Sequence, residues 1–178
     1  APGPVRERTA FAGMVPQDPA LALYQESVRD ELRETLRHRR GHGATPGAAM
    51  ERWNIAHLAG RNPRDISAGQ QQRVAIAAML AHEPRAWLLD EPTRGADGAA
   101  KAWLARRLRE HAAAGGAAIV ATHDLESAAH YATRVVALER GAVRFDLPVG
   151  AALGHGGPYP TQVAQLVPGA LTVDEVVG

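Results

Sequence analysis

Ala86-Trp87-Leu88-Leu89-Asp90-Glu91-Pro92-Thr93 is the stretch on which the fold turns. Ala86 to Leu89 is a continuous apolar run without alternation, the pattern of a strand buried on both faces of a parallel sheet. Asp90 and Glu91 leave its C-terminal end side by side, where open α/β sheets bind ligands. Asp90 suits a Mg²⁺ ion, which takes one or two protein carboxylates beside phosphate oxygens. Glu91 suits the orientation and deprotonation of an attacking water, as in-line phosphoryl transfer requires. Taken alone, however, an Asp-Glu pair is as readily a solvated strand end.

Working outward, the pattern alternates strand and helix. Asp97 caps an alanine-rich helix running through Trp103, Leu104 and Leu108 to Ala114, and Gly115-Gly116 stops it. Ala117 to Ala121 reads as a second buried strand, followed by a short helix through Tyr131. Arg134 to Leu138 and Ala142 to Phe145 form a hairpin about Glu139-Arg140-Gly141. From Pro148 onward a Gly- and Pro-rich tail reads as loop and short helix. Upstream, Gly69 to His82 is helical, with Val74, Ala77, Ala78 and Leu80 on its apolar face, and Ser67 stands at its cap. Ser27 to about Arg40 is a helix with a Ser27–Asp30 capping pair and Val28, Leu32 and Leu36 at helical spacing. Gly41-His42-Gly43 through Pro46-Gly47 reads as a break, and a weaker helix covers Ala48 to Leu58. Phe11 to Val15 is a short apolar run ended by Pro16-Gln17-Asp18-Pro19. This is the order of an α/β parallel-sheet protein.

Composition narrows the function. The chain has 178 residues, 46% hydrophobic and 22% charged, an ordinary globular balance with no apolar run of transmembrane length. Cysteine is absent, which excludes disulfides, thiolate metal sites and a thiol nucleophile. A net charge of +1 and 4% aromatic residues give no reason to expect nucleic acid as a partner. The chain holds one lysine, Lys101, between Ala100 and Ala102, so no Gly-Lys-Ser/Thr phosphate loop lies within it. Because the chain also opens on Ala1, it reads as a fragment.

Two further stretches complete the pattern. In Asp65-Ile66-Ser67-Ala68-Gly69-Gln70, a capped helix start with small residues lets backbone N–H groups approach a phosphate. In Ala121-Thr122-His123-Asp124, a histidine follows the next strand. Each alone is bland. In this order the pieces resemble the second half of an ATP-binding cassette ATPase, the motor domain of ABC transporters. Gln17 resembles the glutamine-loop residue, which senses Mg²⁺ and the transmembrane partner. Ile66, Ser67, Ala68, Gly69 and Gln70 resemble the signature motif, with Ile66 and Ala68 replacing the usual leucine and glycine. Ala86 to Glu91 resembles the Walker B strand with its catalytic glutamate, Gly95-Ala96-Asp97 the D-loop, and His123 the switch histidine.

The resemblance implies an α/β fold, the C-terminal part of a P-loop (RecA-like) ABC ATPase domain with a helical signature subdomain. Residues 1–18 would end a core-sheet segment with the glutamine loop, 19–84 form the helical subdomain, 85–147 the ATPase core, and 148–178 an extension. It implies Glu91 and His123 as catalytic residues, and ATP bound through Gln17, Ile66, Ser67, Ala68, Gly69, Gln70, Asp90 and Asp97. Mg²⁺ would sit by Gln17 and Asp90. The implied partners are a second cassette (homodimer, heterodimer or fused tandem) and a transmembrane subunit, at the cytoplasmic face of the membrane.

The Val15-Pro16-Gln17-Asp18-Pro19 segment, Pro92 to Asp97 and Leu171 to Glu175 resemble the energy-coupling-factor cassettes that power vitamin and metal-ion uptake. A degenerate cassette serving as a structural partner, or a non-transport ABC ATPase, is the alternative. A serine hydrolase is excluded because Asp65 stands where a nucleophile elbow needs glycine. His38 and His42 lack a third ligand for a metal. The basic Arg37-His38-Arg39-Arg40 run fits a solvated helix end.

Overall fold

In a computed structural model that describes residues 10–38 and 45–177, the sheet is built around the Asp90-Glu91 strand. Strands β1 (Ala12–Val15), β2 (Ala86–Asp90) and β3 (Ala117–Ala121) form a parallel three-stranded sheet in the order β1-β2-β3. The register pairs Val15 with Leu89 and Asp90 with Ala121, so β2 is central and the three C-terminal ends share one edge. Along β2 only Trp87 and Leu89 are fully buried, while Ala86, Leu88 and Asp90 are half-buried.

The helices of the first 100 residues obey the local signals with two corrections. Helix α1 (Val28–His38) starts after Ser27, whose hydroxyl accepts the Asp30 N–H at 3.1 Å and donates to the Asp30 carboxylate at 2.6 Å. Val28 and Leu32 are fully buried. Arg39, Arg40 and the Gly41-His42-Gly43 stretch lie outside the described residues. Pro46 and Gly47, expected in a break, instead open α2 (Pro46–Arg52): Thr45 caps the Ala48 N–H, and proline at the first helical position has no N–H to satisfy. The helix expected to continue to Leu58 ends at Arg52. Asn54 adopts a φ of 54°, and only a 3-10 turn, Ala56–Leu58, follows. Helix α3 (Ala68–Leu80) buries Val74, Ala77, Ala78 and Leu80 as its pattern required. Helices α1, α2 and α3 pack together, and α3 also packs on β1. That approach is close: a Cβ at Gly13 would stand 2.7 Å from Leu80 Cδ2 and 3.0 Å from the Met79 carbonyl.

Helix α4 (Gly98–Ala113) is capped by Asp97, which accepts the Ala100 N–H at 2.8 Å, and Gly115 at φ +84° ends it in the left-handed turn that favours glycine. Strand β3 departs from expectation. All but half-buried Val120 are exposed, Ile119 at 68%, rather than buried on both faces. The apolar run does make a strand, but β3 stands at the sheet edge, and among the described residues no layer covers it. Burial of the neighbouring strands does not extend across the edge.

The chain divides into two compact units, one of residues 1–100 and 110–121, the other of 101–109 and 122–178. The second unit holds α5 (Leu125–Ala129) and the antiparallel pair β4 (Arg134–Glu139) and β5 (Ala142–Pro148). Arg140 and Gly141, at φ of 50° and 80°, make the tight turn between the strands. The tail forms three short helices, not one: α6 (Val149–Leu153), α7 (Gln162–Leu166) and α8 (Asp174–Val177). Ala128, Ala152 and Leu153 make a small core, against which Val135, Phe145 and Leu171 pack.

Candidate functional site

The parallel register brings Asp90, Glu91 and the segment leading to Gln17 to one edge of the sheet. Asp90 is the last residue of β2, and Gln17 follows the end of neighbouring β1 by two residues, exposed in a bend. Glu91 is the most constrained of them. Its φ of 44° lies in the left-handed region, which costs a non-glycine residue roughly 1–2 kcal/mol. Two backbone bonds hold it there: the Glu91 N–H donates to the Ala121 carbonyl at 2.8 Å, and the Glu91 carbonyl accepts the Arg94 N–H at 3.1 Å. Pro92 and Thr93 are buried immediately after it. Strain held by this much surrounding structure is the kind found at functional sites, where it aims a side chain. The turn then closes through the Ala96 N–H to the Thr93 carbonyl and reaches Asp97, whose carboxylate is spent on capping α4.

Ser67 and Gln70 form a reciprocal capping box at the start of α3. Ser67 Oγ accepts the Gln70 N–H at 3.3 Å, and Gln70 Oε1 accepts the Ser67 N–H at 3.1 Å. Ser67, Ala68 and Gly69 are exposed, while Ile66 is half-buried. A Cβ at Gly69 would meet nothing within 4 Å. The fold therefore does not require glycine there, although glycine weakens a helix by roughly 0.5–1 kcal/mol relative to alanine. A helix N-terminus with open space at Gly69 suits an anion approaching from outside. The far end of α3, at Met79 and Leu80, is what meets β1. Ser67 thus stands about 18 Å away along the helix axis, at 1.5 Å per residue. The signature residues therefore lie at the opposite end of α3 from its contact with β1.

His123 is exposed two residues beyond β3, in the second unit, within a turn where its carbonyl accepts the Leu125 N–H at 3.2 Å. Asp124 caps α5, accepting the Ser127 N–H at 3.0 Å and its hydroxyl at 2.6 Å, and pairs with Lys101 at 2.8 Å. Burial pushes this carboxyl up, but the Lys101 and Ser127 hydrogen bonds outweigh it and hold the pKa at about 2. Sequence reading missed this pair. It treated Lys101 only as a lone lysine, although a cap position at Asp124 was readable three residues before Ser127.

The donor set fits Mg²⁺. Asp90 and the Gln17 amide offer hard oxygen ligands, and among the described residues no group of three His, Cys, Asp or Glu forms a full protein cage. A metal here would need phosphate oxygens to complete its shell.

This sheet and helix arrangement is that of the ABC ATPase cassettes. The family model described as ABC transporter matches residues 4–94, just over half of the chain. "Putative ABC transporter ATP-binding protein SCO2324" of Streptomyces coelicolor is 39% identical over 162 residues, 91% of this chain and 29% of that protein. Among solved structures, the dimeric post-hydrolysis cassette MJ0796 bound to ADP and Pi superposes with a TM-score of 0.70, covering 81% of this chain and 65% of that one at 24% identity. The structure of cbiO1 from Clostridium perfringens, part of the ABC transporter complex cbiONQ, gives 0.64 over 81% and 59% at 29% identity. The chain belongs to the ABC transporter family. It spans about three tenths of the length of the Streptomyces relative.

Proposed function

We propose that these residues belong to the ATP-binding and ATP-hydrolysing subunit of an ABC importer, which couples hydrolysis to uptake of a micronutrient such as a vitamin or metal ion. The observation that carries this reading is the sheet edge: Asp90 ends the central strand beside the Gln17 segment, and Glu91 is turned by a strained backbone that two hydrogen bonds maintain. Asp90 and Gln17 would hold Mg²⁺, which when bound neutralises phosphate charge. Glu91 orients an attacking water and takes its proton. His123 faces the γ-phosphate, and Asp97 fixes the D-loop by capping α4. Ser67 and Gly69, at the end of α3 away from its contact with β1, present the signature surface to a nucleotide held by a second cassette. That partner is a homodimer mate, a heterodimer mate or a fused tandem domain.

No helix among the described residues is long and apolar enough to cross a membrane. Membership of the ABC transporter family supports a proposed site of action at the cytoplasmic face of the membrane, against a transmembrane subunit. Likeness to cbiO1 and the segments around Gln17 and Pro92 support the energy-coupling-factor subfamily.

Glu91→Gln in the complete transporter tests the reading. Nucleotide binding should persist while hydrolysis falls by about 10²–10⁴-fold, the range of a general base. Unchanged turnover rejects the assignment. Mass spectrometry of the purified complex should find a vitamin or transition-metal ion, and a cargo of another class removes the micronutrient part alone.

A further inference from the structure

Lys101 is the only lysine beside nineteen arginines, and the fold pairs it with Asp124. It lies one turn into α4, and its Nζ sits 2.8 Å from Asp124 Oδ2. The same carboxylate holds α5 by its first turn: Oδ1 accepts the Ser127 N–H at 3.0 Å, and Oδ2 accepts the Ser127 hydroxyl at 2.6 Å. The Asp124 N–H meanwhile donates to Thr122 Oγ1 at 3.0 Å, and the Leu125 N–H to the His123 carbonyl at 3.2 Å. His123 is therefore enclosed in a turn whose two flanking residues are tied to each other, and whose anchor is gripped by Lys101.

Helix capping alone accounts for the Ser127 contacts, since aspartate caps helices without a cation. It does not account for the ammonium. A bare carboxylate next in sequence to a group that meets a polyanion would repel that polyanion, and a compact ammonium on Oδ2 cancels it at the source. We infer that Lys101 is a positioning residue for His123: by gripping Asp124 it fixes the turn from Thr122 to Leu125 and neutralises the carboxylate adjoining the imidazole. The pKa of Asp124, lowered to about 2, agrees with a clasp that stays ionised near neutral pH. The inference rests on the reading that His123 faces the γ-phosphate.

Two measurements test it. In the full 178-residue chain, NMR of Lys101→Met should show the Asp124 carboxyl titrating near its ordinary range. The His123 and Leu125 amides should broaden by microsecond-to-millisecond exchange, and Lys101→Arg should restore both. Sharp, unshifted His123 and Leu125 amides in Lys101→Met overturn the clasp. If that variant does not fold, Asp124→Asn, which keeps a cap without the charge, should broaden the same amides, and its failure to do so is equally fatal. In the complete protein, Lys101→Met should lower kcat for Mg-ATP by up to about 10²-fold, as a misplaced catalytic group does, and leave KM within about twofold. An unaltered kcat overturns the positioning role. His123→Ala separates the two ideas: wild-type turnover there defeats the γ-phosphate reading, while the amide spectra still judge the clasp.

Discussion

The imidazole of His111 lies flat on the indole of Trp87, with ring centroids 3.9 Å apart and planes 13° from parallel. Trp87 in turn meets Trp53 at 5.6 Å with the planes tilted by 41°, so two ring contacts converge on the strand that carries Asp90. His111 is held from behind by its ring nitrogen Nε2, 3.2 Å from the Arg85 carbonyl, and by the bare Cα of Gly116. A Cβ at Gly116 would stand 2.2 Å from the His111 ring.

Gly116→Ala should therefore push His111 off Trp87 and destabilise the chain by about 1–3 kcal/mol, the usual cost of overpacking. His111→Ala should cost a comparable amount. The double variant should cost much less than the sum, because both changes break the same stack. Urea unfolding followed by tryptophan fluorescence measures all three, and strict additivity would show that Gly116 acts elsewhere.

Two other glycines should respond in opposite ways. Gly13→Ala places a methyl against Leu80, Pro84 and the Met79 carbonyl, a backbone atom that cannot swing aside, and should also cost about 1–3 kcal/mol. Gly69→Ala enters open space in the first turn of α3 and should leave stability unchanged or raise it by up to about 1 kcal/mol. In the complete transporter the stable variant should nevertheless lose ATPase activity, because the methyl meets the incoming phosphate. Thermal melts and turnover assays on both proteins check this, and full activity in Gly69→Ala would remove the signature role.

Acid should unlock α5. The folded pKa of Asp124, about 2, lies below its ordinary 3.8, so its contribution to stability is complete above the unfolded value. It is lost as pH falls from about 4 through about 2. The urea midpoint of the wild-type chain should drop across that window. Asp124→Asn should remove this share of the slope while lowering stability at neutral pH, and an identical slope in the variant would assign the acid sensitivity to other carboxylates.

The central sheet was readable because its signals are local. Ala86 to Leu89 is apolar without interruption, and the Ser67–Gln70 and Ser27–Asp30 caps are two-residue patterns with fixed spacing. What the sequence concealed was relational. Exposure of Ile119 depends on which strand stands at the sheet edge, a fact about pairing rather than about Ala117 to Ala121 themselves. The early end of α2 depends on Asn54 taking a left-handed backbone, which asparagine permits but does not announce. Of the site, the residue types were legible and the strain at Glu91 was not, since nothing in Asp-Glu-Pro-Thr fixes the sign of φ. The Lys101–Asp124 pair escaped because its members are 23 positions apart and meet only through the fold.

Ser67 offers the sharpest test of a nucleotide site shared between two cassettes. Its hydroxyl caps α3, so any substitution risks confusing lost helix stability with lost chemistry. Ser67→Arg removes the cap at a cost of about 1 kcal/mol and sets bulk and charge on the exposed signature surface. Ser67→Asp keeps a competent cap and adds a negative charge to the same surface, which in the proposed arrangement meets the partner's γ-phosphate. In the complete protein both variants should bind nucleotide much as the wild type does, because in the proposed arrangement Ser67 meets the partner's nucleotide and not the phosphate cradle of its own cassette. Both should fail to hydrolyse it, the aspartate by repulsion and the arginine by blocking closure. Equilibrium binding of labelled ATP and steady-state turnover on the same preparations decide the matter. Binding lost together with hydrolysis in Ser67→Asp, whose fold is preserved, would place Ser67 in the primary phosphate pocket of its own cassette and defeat the shared-site arrangement.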